Sequence, residues 1–315
     1  MQPDLHYSAP AKVVLWGEYA VLDGAPAAVM AIERRAHVRA DKRDHGWCFT
    51  ADGLLAANVH VGRREFCHAE ITRQTECILQ HFGYEEFPAG LALHIDTRAF
   101  YQAGSKLGIG SSAAVCTALY RLLGAHLGQA TDLDSAMAIH RRWQGDRGSG
   151  LDVATAWHGG VIHFRAGQVS TATLPDHMHW SLIWTGSSAA TPTQLQSFAQ
   201  WRERGDSSPF EALKQATTSL HTSVDMDLLA NYCGALRTFD AAAKLGIYTD
   251  QHLKLERLAF DYNLLYKPCG AGGGDIGIAF AADVDALAAF TARAQAHNFC
   301  PLPTEIAADG VQCSP

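Results

Sequence analysis

The segment Gly104-Ser105-Lys106-Leu107-Gly108-Ile109-Gly110-Ser111-Ser112-Ala113-Ala114 constrains this chain more than any other. A glycine-rich loop runs into two serines and then an apolar, helix-forming stretch. Gly108 and Gly110 let the backbone turn tightly and approach a ligand without a Cβ in the way. A helix opening near Ser112 presents unpaired N–H groups and the positive end of its dipole, where an anion such as phosphate is stabilised. Lys106 adds a cation, and a serine hydroxyl at the helix start is placed to ligate Mg²⁺. The spacing is not that of the common P-loop, whose lysine follows the last glycine, nor of the dinucleotide G-x-G-x-x-G. An ordinary serine-capped turn would read the same way at this segment alone.

The rest of the chain sets the frame for that loop. Its 315 residues suggest about two domains, and 48% hydrophobic content is ample for a core. The formal net charge is −7 with no basic tract, which argues against nucleic acid or an anionic membrane as a partner. An anionic substrate must then be held by local cations and backbone amides. Eight scattered cysteines without a CxxC pair read as reduced, buried thiols of a cytoplasmic protein. Residues 1–12 have no apolar core of a signal peptide, and no run reaches 18 apolar residues. His177 and His179 are too few to make a metal site.

Hydrophobic periodicity predicts strands at 12–16, 28–32, 36–40, 91–96, 160–164, 169–174, 180–184 and 276–281, with a closing strand near 304–307. It predicts helices at 67–82, 112–127, 133–143, 151–157, 193–204, 209–222, 227–244, 251–266 and 284–297. Strand runs mixed with helix runs, without strict alternation, point to α+β. A boundary falls near residues 168–180, giving domains 1–172 and 173–315.

Two further segments share the character of the first. One is Ser8-Ala9-Pro10-Ala11-Lys12-Val13-Val14-Leu15-Trp16-Gly17-Glu18-Tyr19, and the other is Lys267-Pro268-Cys269-Gly270-Ala271-Gly272-Gly273-Gly274-Asp275. In order and spacing the three resemble the signature motifs of the galactokinase, homoserine kinase, mevalonate kinase and phosphomevalonate kinase (GHMP) superfamily. Within it, Lys106 in K-x-G-x-G-S-S-A-A, the stretch from His140 to Ala154, and the segment Thr185 to Thr191 resemble the phosphomevalonate kinase branch.

That resemblance implies an S5-like N-terminal domain and a ferredoxin-like C-terminal domain, with ATP and an acceptor between them. It implies a kinase for 5-phosphomevalonate, with mevalonate or another small hydroxy acid as the alternative acceptor. A nucleotide-binding sensor is the non-enzymatic alternative. It assigns Asp152 as the catalytic carboxylate and Lys12 as its partner. Lys106, Gly108, Ile109, Gly110, Ser111, Ser112 and Ala113 would cradle ATP, with Ser112 on Mg²⁺. Glu18, Tyr19, Ser149, Gly150, Thr191, Gly270, Ala271 and Gly272 would face the acceptor. Such a kinase works on a small phosphorylated hydroxy acid, as a monomer or homodimer.

Three positions depart from the pattern. Ala11 stands where the family has glycine, so the backbone there must avoid φ > 0. Arg141 occupies the place of a Mg²⁺-binding glutamate eleven residues before Asp152. Ser187 stands where the branch has a lysine that would face an acceptor phosphate.

Overall fold

The computed structural model describes residues 5–53, 57–61, 65–66, 68–69, 71–188, 191–203 and 207–314, without the side chains of residues 57, 58, 191–193 and 195. The first half of the chain runs β1 (Leu5–Trp16), β2 (Ala27–Lys42), β3 (Trp47–Asp52), β4 (Ala57–Val61), α1 (Arg73–His81), β5 (Leu91–Asp96), β6 (Tyr101–Gln102), β7 (Ser105–Lys106), α2 (Ser111–Leu127), α3 (Leu133–Trp143), α4 (Leu151–His158), β8 (Val161–Arg165) and β9 (Gln168–Ala172). The second half runs β10 (His179–Trp184), α5 (Thr191–Arg202), α6 (Ser208–Thr222), α7 (Met226–Ala243), α8 (Asp250–Asp261), β11 (Leu265–Pro268), β12 (Ile276–Ala281), α9 (Val284–Ala296), β13 (Cys300–Pro301) and β14 (Gln312–Cys313). This is the expected α+β class.

Strand β2 is the spine of the larger sheet, ordered β14-β1-β2-β5-β3-β4. One edge of β2 pairs with β1, and the other pairs with β8 at Ala27–Met30 and with β5 at His37–Lys42. The sequence pattern had suggested two separate strands, 28–32 and 36–40. They are one strand because Glu33 to Arg35 lie at a register shift opposite Pro10 and Ala11, where a bulge breaks the alternation without ending the strand. Ala11 itself is extended and fully buried within β1.

Helix α2 is apolar on nearly every side and lies against β1, β2, α1, α3 and α4. A helix of that composition is stable only when enclosed. Leu119, Tyr120, Leu122 and Leu123 are fully buried, each aliphatic side chain contributing about 1.5–3 kcal/mol. The helix is thereby a rigid mount for the loop at its N-terminus.

The smaller sheet is antiparallel, ordered β11-β12-β10-β13, with α8 and α9 packed against it. Its connectivity is the split β-α-β-β-α-β arrangement. The helix expected over 251–266 stops at Asp261, and Leu265–Pro268 is a strand. Asn263 adopts φ +60° between them, a left-handed residue that ends a helix. The closing strand expected near 304–307 reduces to a bridge from Ile306 to Ile32. The helix expected from 67 begins at Arg73, and Cys67 and Arg204 lie outside the described residues. Cys48, Cys116 and Cys269 are buried, whereas Cys313 is exposed, and Cys116, Cys269 and Cys313 are free thiols. No described helix is long and apolar enough to cross a membrane.

Candidate active site

A cleft of about 800 Å³ lies where the three glycine-rich motifs meet. From the first motif Lys12, Glu18 and Tyr19 border it, and from the second Lys106, Gly108, Gly110, Ser111 and Ser112 do. Ser149 and Asp152 come from the loop and first turn of α4, and Gly270 and Ala271 from the third motif. Ile109 and Ala113 are buried behind the loop. Ile109 anchors it to β1, its carbonyl accepting from the Lys12 N–H at 2.9 Å. Gly150 begins α4 at φ +91°, with Met137 Sδ packed 3.0 Å from where a Cβ would stand. Gly272 packs on Ile247, and its carbonyl accepts from Gln194 Nε2 at 3.2 Å. Thr191 opens α5, and its side chain lies outside the described residues.

Helix α2 starts with Gly110 in the left-handed conformation and no side-chain cap. Its first N–H groups therefore face the cleft as donors for an anion. Gly108 is at φ +72°, and a Cβ there would lie 2.0 Å from the Asp275 carboxylate. The loop is glycine-rich because the third motif packs directly onto it. Ser188 Oγ donates to the Lys106 carbonyl at 2.8 Å, a second tie from the C-terminal half. The Lys12 stem crosses Gly110, whose Cβ would lie 3.0 Å from Lys12 Cγ. Its ammonium ends 3.9 Å from where a Cβ on Gly270 would be. Lys12 thus spans the second and third motifs.

Several cleft residues escaped the sequence reading. Arg73 and Arg147 line it and add to the cations Lys12 and Lys106. His140 is 2% exposed, and its Nε2 lies 3.3 Å from Ser112 Oγ. Burial lowers the His140 pKa, against the pull of the Asp152 charge, so the imidazole is neutral at pH 7. The Glu18 side chain is wholly buried and ion-paired with Lys267. Asp152 Oδ1 accepts from the Val153 N–H at 3.1 Å. Arg141, in place of the glutamate, is exposed on α3 and is not part of the cleft wall.

The GHMP kinases N terminal domain family matches residues 70–160, which span the loop, α2, α3 and α4. The phosphomevalonate kinase of Streptomyces sp. (strain CL190) is 27% identical over 96% of this chain and 97% of its own. Residues 70–160 thus carry a GHMP kinase N-terminal domain, the domain of a family of phosphotransferases. The mevalonate kinase of Pyrococcus horikoshii is 31% identical over about half of each protein, 51% of this chain and 51% of its own. Among solved structures, Streptococcus pneumoniae phosphomevalonate kinase, in complex with phosphomevalonate and AMPPNP, superposes with a TM-score of 0.79. The pair share 19% identity over 96% of this chain and 99% of that one. This likeness gives the fold: an S5-like N-terminal part and a ferredoxin-like C-terminal part.

Proposed function

We propose that this chain is a GHMP kinase that transfers the terminal phosphoryl group of ATP, with Mg²⁺, to 5-phosphomevalonate, forming 5-diphosphomevalonate in the mevalonate pathway. The observation that carries the reading is the charge of the cleft. In a chain of net charge −7, four cations, Lys12, Arg73, Lys106 and Arg147, converge on one cleft beside an uncapped helix N-terminus. The acid of Glu18 is already neutralised by Lys267. Such a site suits two polyanions brought together, a nucleotide triphosphate and a phosphorylated acceptor. The near end-to-end match with a phosphomevalonate kinase supports the same acceptor.

The residues have definable tasks. The N-terminal amides of α2 and Lys106 hold the nucleotide phosphates, and Lys12 neutralises charge that develops on the moving phosphoryl group. Asp152 orients Lys12 and the acceptor from the first turn of α4. Ser112 and the one carboxylate of Asp152 fit an ion that Mg²⁺-dependent sites typically bind through few protein ligands and several phosphate oxygens. The ion would supply charge neutralisation on the phosphates. In-line placement and neutralisation are the main demands of this chemistry. Residues 1–172 and 173–315 are the two domains in this reading, with ATP and the acceptor in the cleft between them. The enzyme works in the cytoplasm, as a monomer or homodimer.

Mevalonate is the second acceptor to weigh, because a mevalonate kinase is 31% identical to this chain over 51% of its length. ADP release with ATP, Mg²⁺ and a panel of 5-phosphomevalonate, mevalonate, diphosphomevalonate, homoserine and galactose decides between them. The expected result is a kcat/KM for 5-phosphomevalonate at least ~100-fold above that for mevalonate, about 2.7 kcal/mol of discrimination. Preference for mevalonate would overturn the acceptor. Nucleotide binding without turnover of any acceptor would make the chain a sensor.

A further inference from the structure

The buried groups behind the cleft form a connected set that phosphoryl transfer as described above does not use. Lys267 lies on β11 and is 0% exposed. Its ammonium donates to a Glu18 carboxylate oxygen, to the Val14 carbonyl at 3.2 Å and to the Pro268 carbonyl at 2.9 Å. All three of its protons are thereby placed. The same Glu18 oxygen accepts from the Gly270 N–H at 3.4 Å. The other accepts from the Tyr232 hydroxyl on α7. That hydroxyl in turn accepts from the Gly17 and Glu18 N–H groups at 2.9 and 3.2 Å. Every member is satisfied, and the set joins β1, α7 and the third glycine motif.

A buried ion pair gives little net stability compared with apolar groups of equal size, and its best-attested use is to fix a register. The register here is specific. Val14 is two residues beyond Lys12 on β1, so both side chains leave the same face, and both line the cleft. Gly270, held by Glu18, is the residue that the Lys12 ammonium approaches. The network therefore grips the chain on both sides of that ammonium. It also braces Tyr19, whose backbone sits at φ +60°, ψ −43° with its hydroxyl donating to the Ala271 carbonyl at 2.7 Å. A non-glycine residue in that region persists only where its surroundings over-determine it.

We propose that Glu18, Lys267 and Tyr232 form a positioning network that registers β1 against the Lys267–Asp275 segment and so sets the Lys12 ammonium in the cleft. Glu18 then acts through Lys12 and does not bind the acceptor. The inference rests on Lys12 serving phosphoryl transfer as proposed above.

Four variants test it: Tyr232→Phe, Glu18→Gln, Lys267→Met and the Glu18→Gln/Lys267→Met pair. Three readouts are used: Tm and, at a temperature below it, the split between kcat and KM and the acylation of Lys12 relative to Lys106 by a soluble lysine reagent, read by peptide mass spectrometry. Tyr232→Phe is the mildest change and should lower kcat at least ~10-fold with both KM values within ~3-fold, since small misplacements cost rate more than binding. The Lys12-to-Lys106 labelling ratio should change at least ~3-fold as the ammonium shifts. The charge-neutral pair should recover Tm relative to either single variant while kcat stays low. A raised acceptor KM at unchanged kcat would overturn the proposal and return Glu18 to the acceptor. A lowered Tm with kcat and labelling unchanged would reduce the network to a structural role. If the unaltered enzyme turns over no acceptor, the functional reading fails, and the labelling ratio alone decides the network.

Discussion

Asp152 has one described side-chain hydrogen bond, from the N–H of the next residue, and lines a cleft whose wall also holds Lys12, Arg73, Lys106 and Arg147. What it does depends on the acceptor. A hydroxyl must lose a proton as it attacks, and Asp152 would be its base. A phosphomonoester has a second pKa near about 6 and is mostly dianionic at neutral pH, already a nucleophile. For 5-phosphomevalonate, Asp152→Asn should therefore lower kcat less than the roughly 10²–10⁴-fold expected when proton removal is required. The loss should grow as pH falls below about 6, where the acceptor phosphate takes up a proton. A pH–rate profile of the variant measures this, and a flat profile would count against the phosphate acceptor. Gly108 offers a separate test at the phosphate loop. Gly108→Ala meets both φ +72° and a carboxylate 2.0 Å from the new Cβ, whereas Gly104→Ala meets φ +78° with open space around it. Nucleotide affinity by isothermal titration should fall roughly 5–30-fold for the first, the equivalent of 1–2 kcal/mol, and much less for the second.

Helices with a capping signal and a steady period were legible in the sequence to within a residue. Helix α3, Leu133–Trp143, is where the pattern put it, because Asp132 caps it by accepting from the Ser135 N–H at 2.8 Å. Helix α8 was overrun because Leu264 and Tyr266 continue an apolar pattern, although Asn263 carried the stop signal. The motif residues were legible as loops, and most of them reach the cleft. Their partners were not: Glu18 and Lys267 are 249 positions apart, and nothing local marks either as half of a pair. His140 lay inside a quoted motif, yet its contact with Ser112 depends on how α3 packs beside α2. His252 on α8 shows the same dependence and carries a prediction. Its Nδ1 accepts from the Tyr266 hydroxyl at 2.8 Å, and its Nε2–H donates to the Gly274 carbonyl at 2.9 Å. Both bonds suit the neutral ring, and burial pushes its pKa down to about 4. The unfolded chain, near 6.5, binds the extra proton first, so stability falls as pH drops from about 6.5 to about 4 and levels off below. The full difference is about 3 kcal/mol for this one group. His252→Gln should flatten part of the slope of Tm against pH across that window; an unchanged slope would show that His252 does not set it.

The path of the chain as a whole ties its end to its beginning. After β13 the last residues return to the larger sheet, where β14 pairs with Tyr7 and Ser8 and Ile306 bridges to Ile32. Ala307 N–H donates to the Ala31 carbonyl at 3.0 Å. Arg35, at the bulge of β2, is 9% exposed and donates to the carbonyls of Ser8, Asp309 and Gly310 and to Ser8 Oγ. The tail also lies against the end of α4, where a Cβ on Gly159 would meet the Asp309 and Gly310 backbone at 2.4 Å. The helix that carries Asp152 is thus backed by residues from the far end of the chain. The main core continues likewise from Trp16 and Tyr19 to Tyr232 and Phe239. Two consequences are measurable. Arg35→Ala removes the donor to the buried Gly310 carbonyl, a loss of about 1–3 kcal/mol, and should lower Tm by several degrees. A fragment of residues 1–172 keeps the loop, α2 and Asp152 but lacks the tail, the Arg35 acceptors and the α7 side of the core. Proton-exchange and melting experiments should find it without a cooperative transition, and a fragment that melts cooperatively near the Tm of the whole chain would show that the first half needs neither.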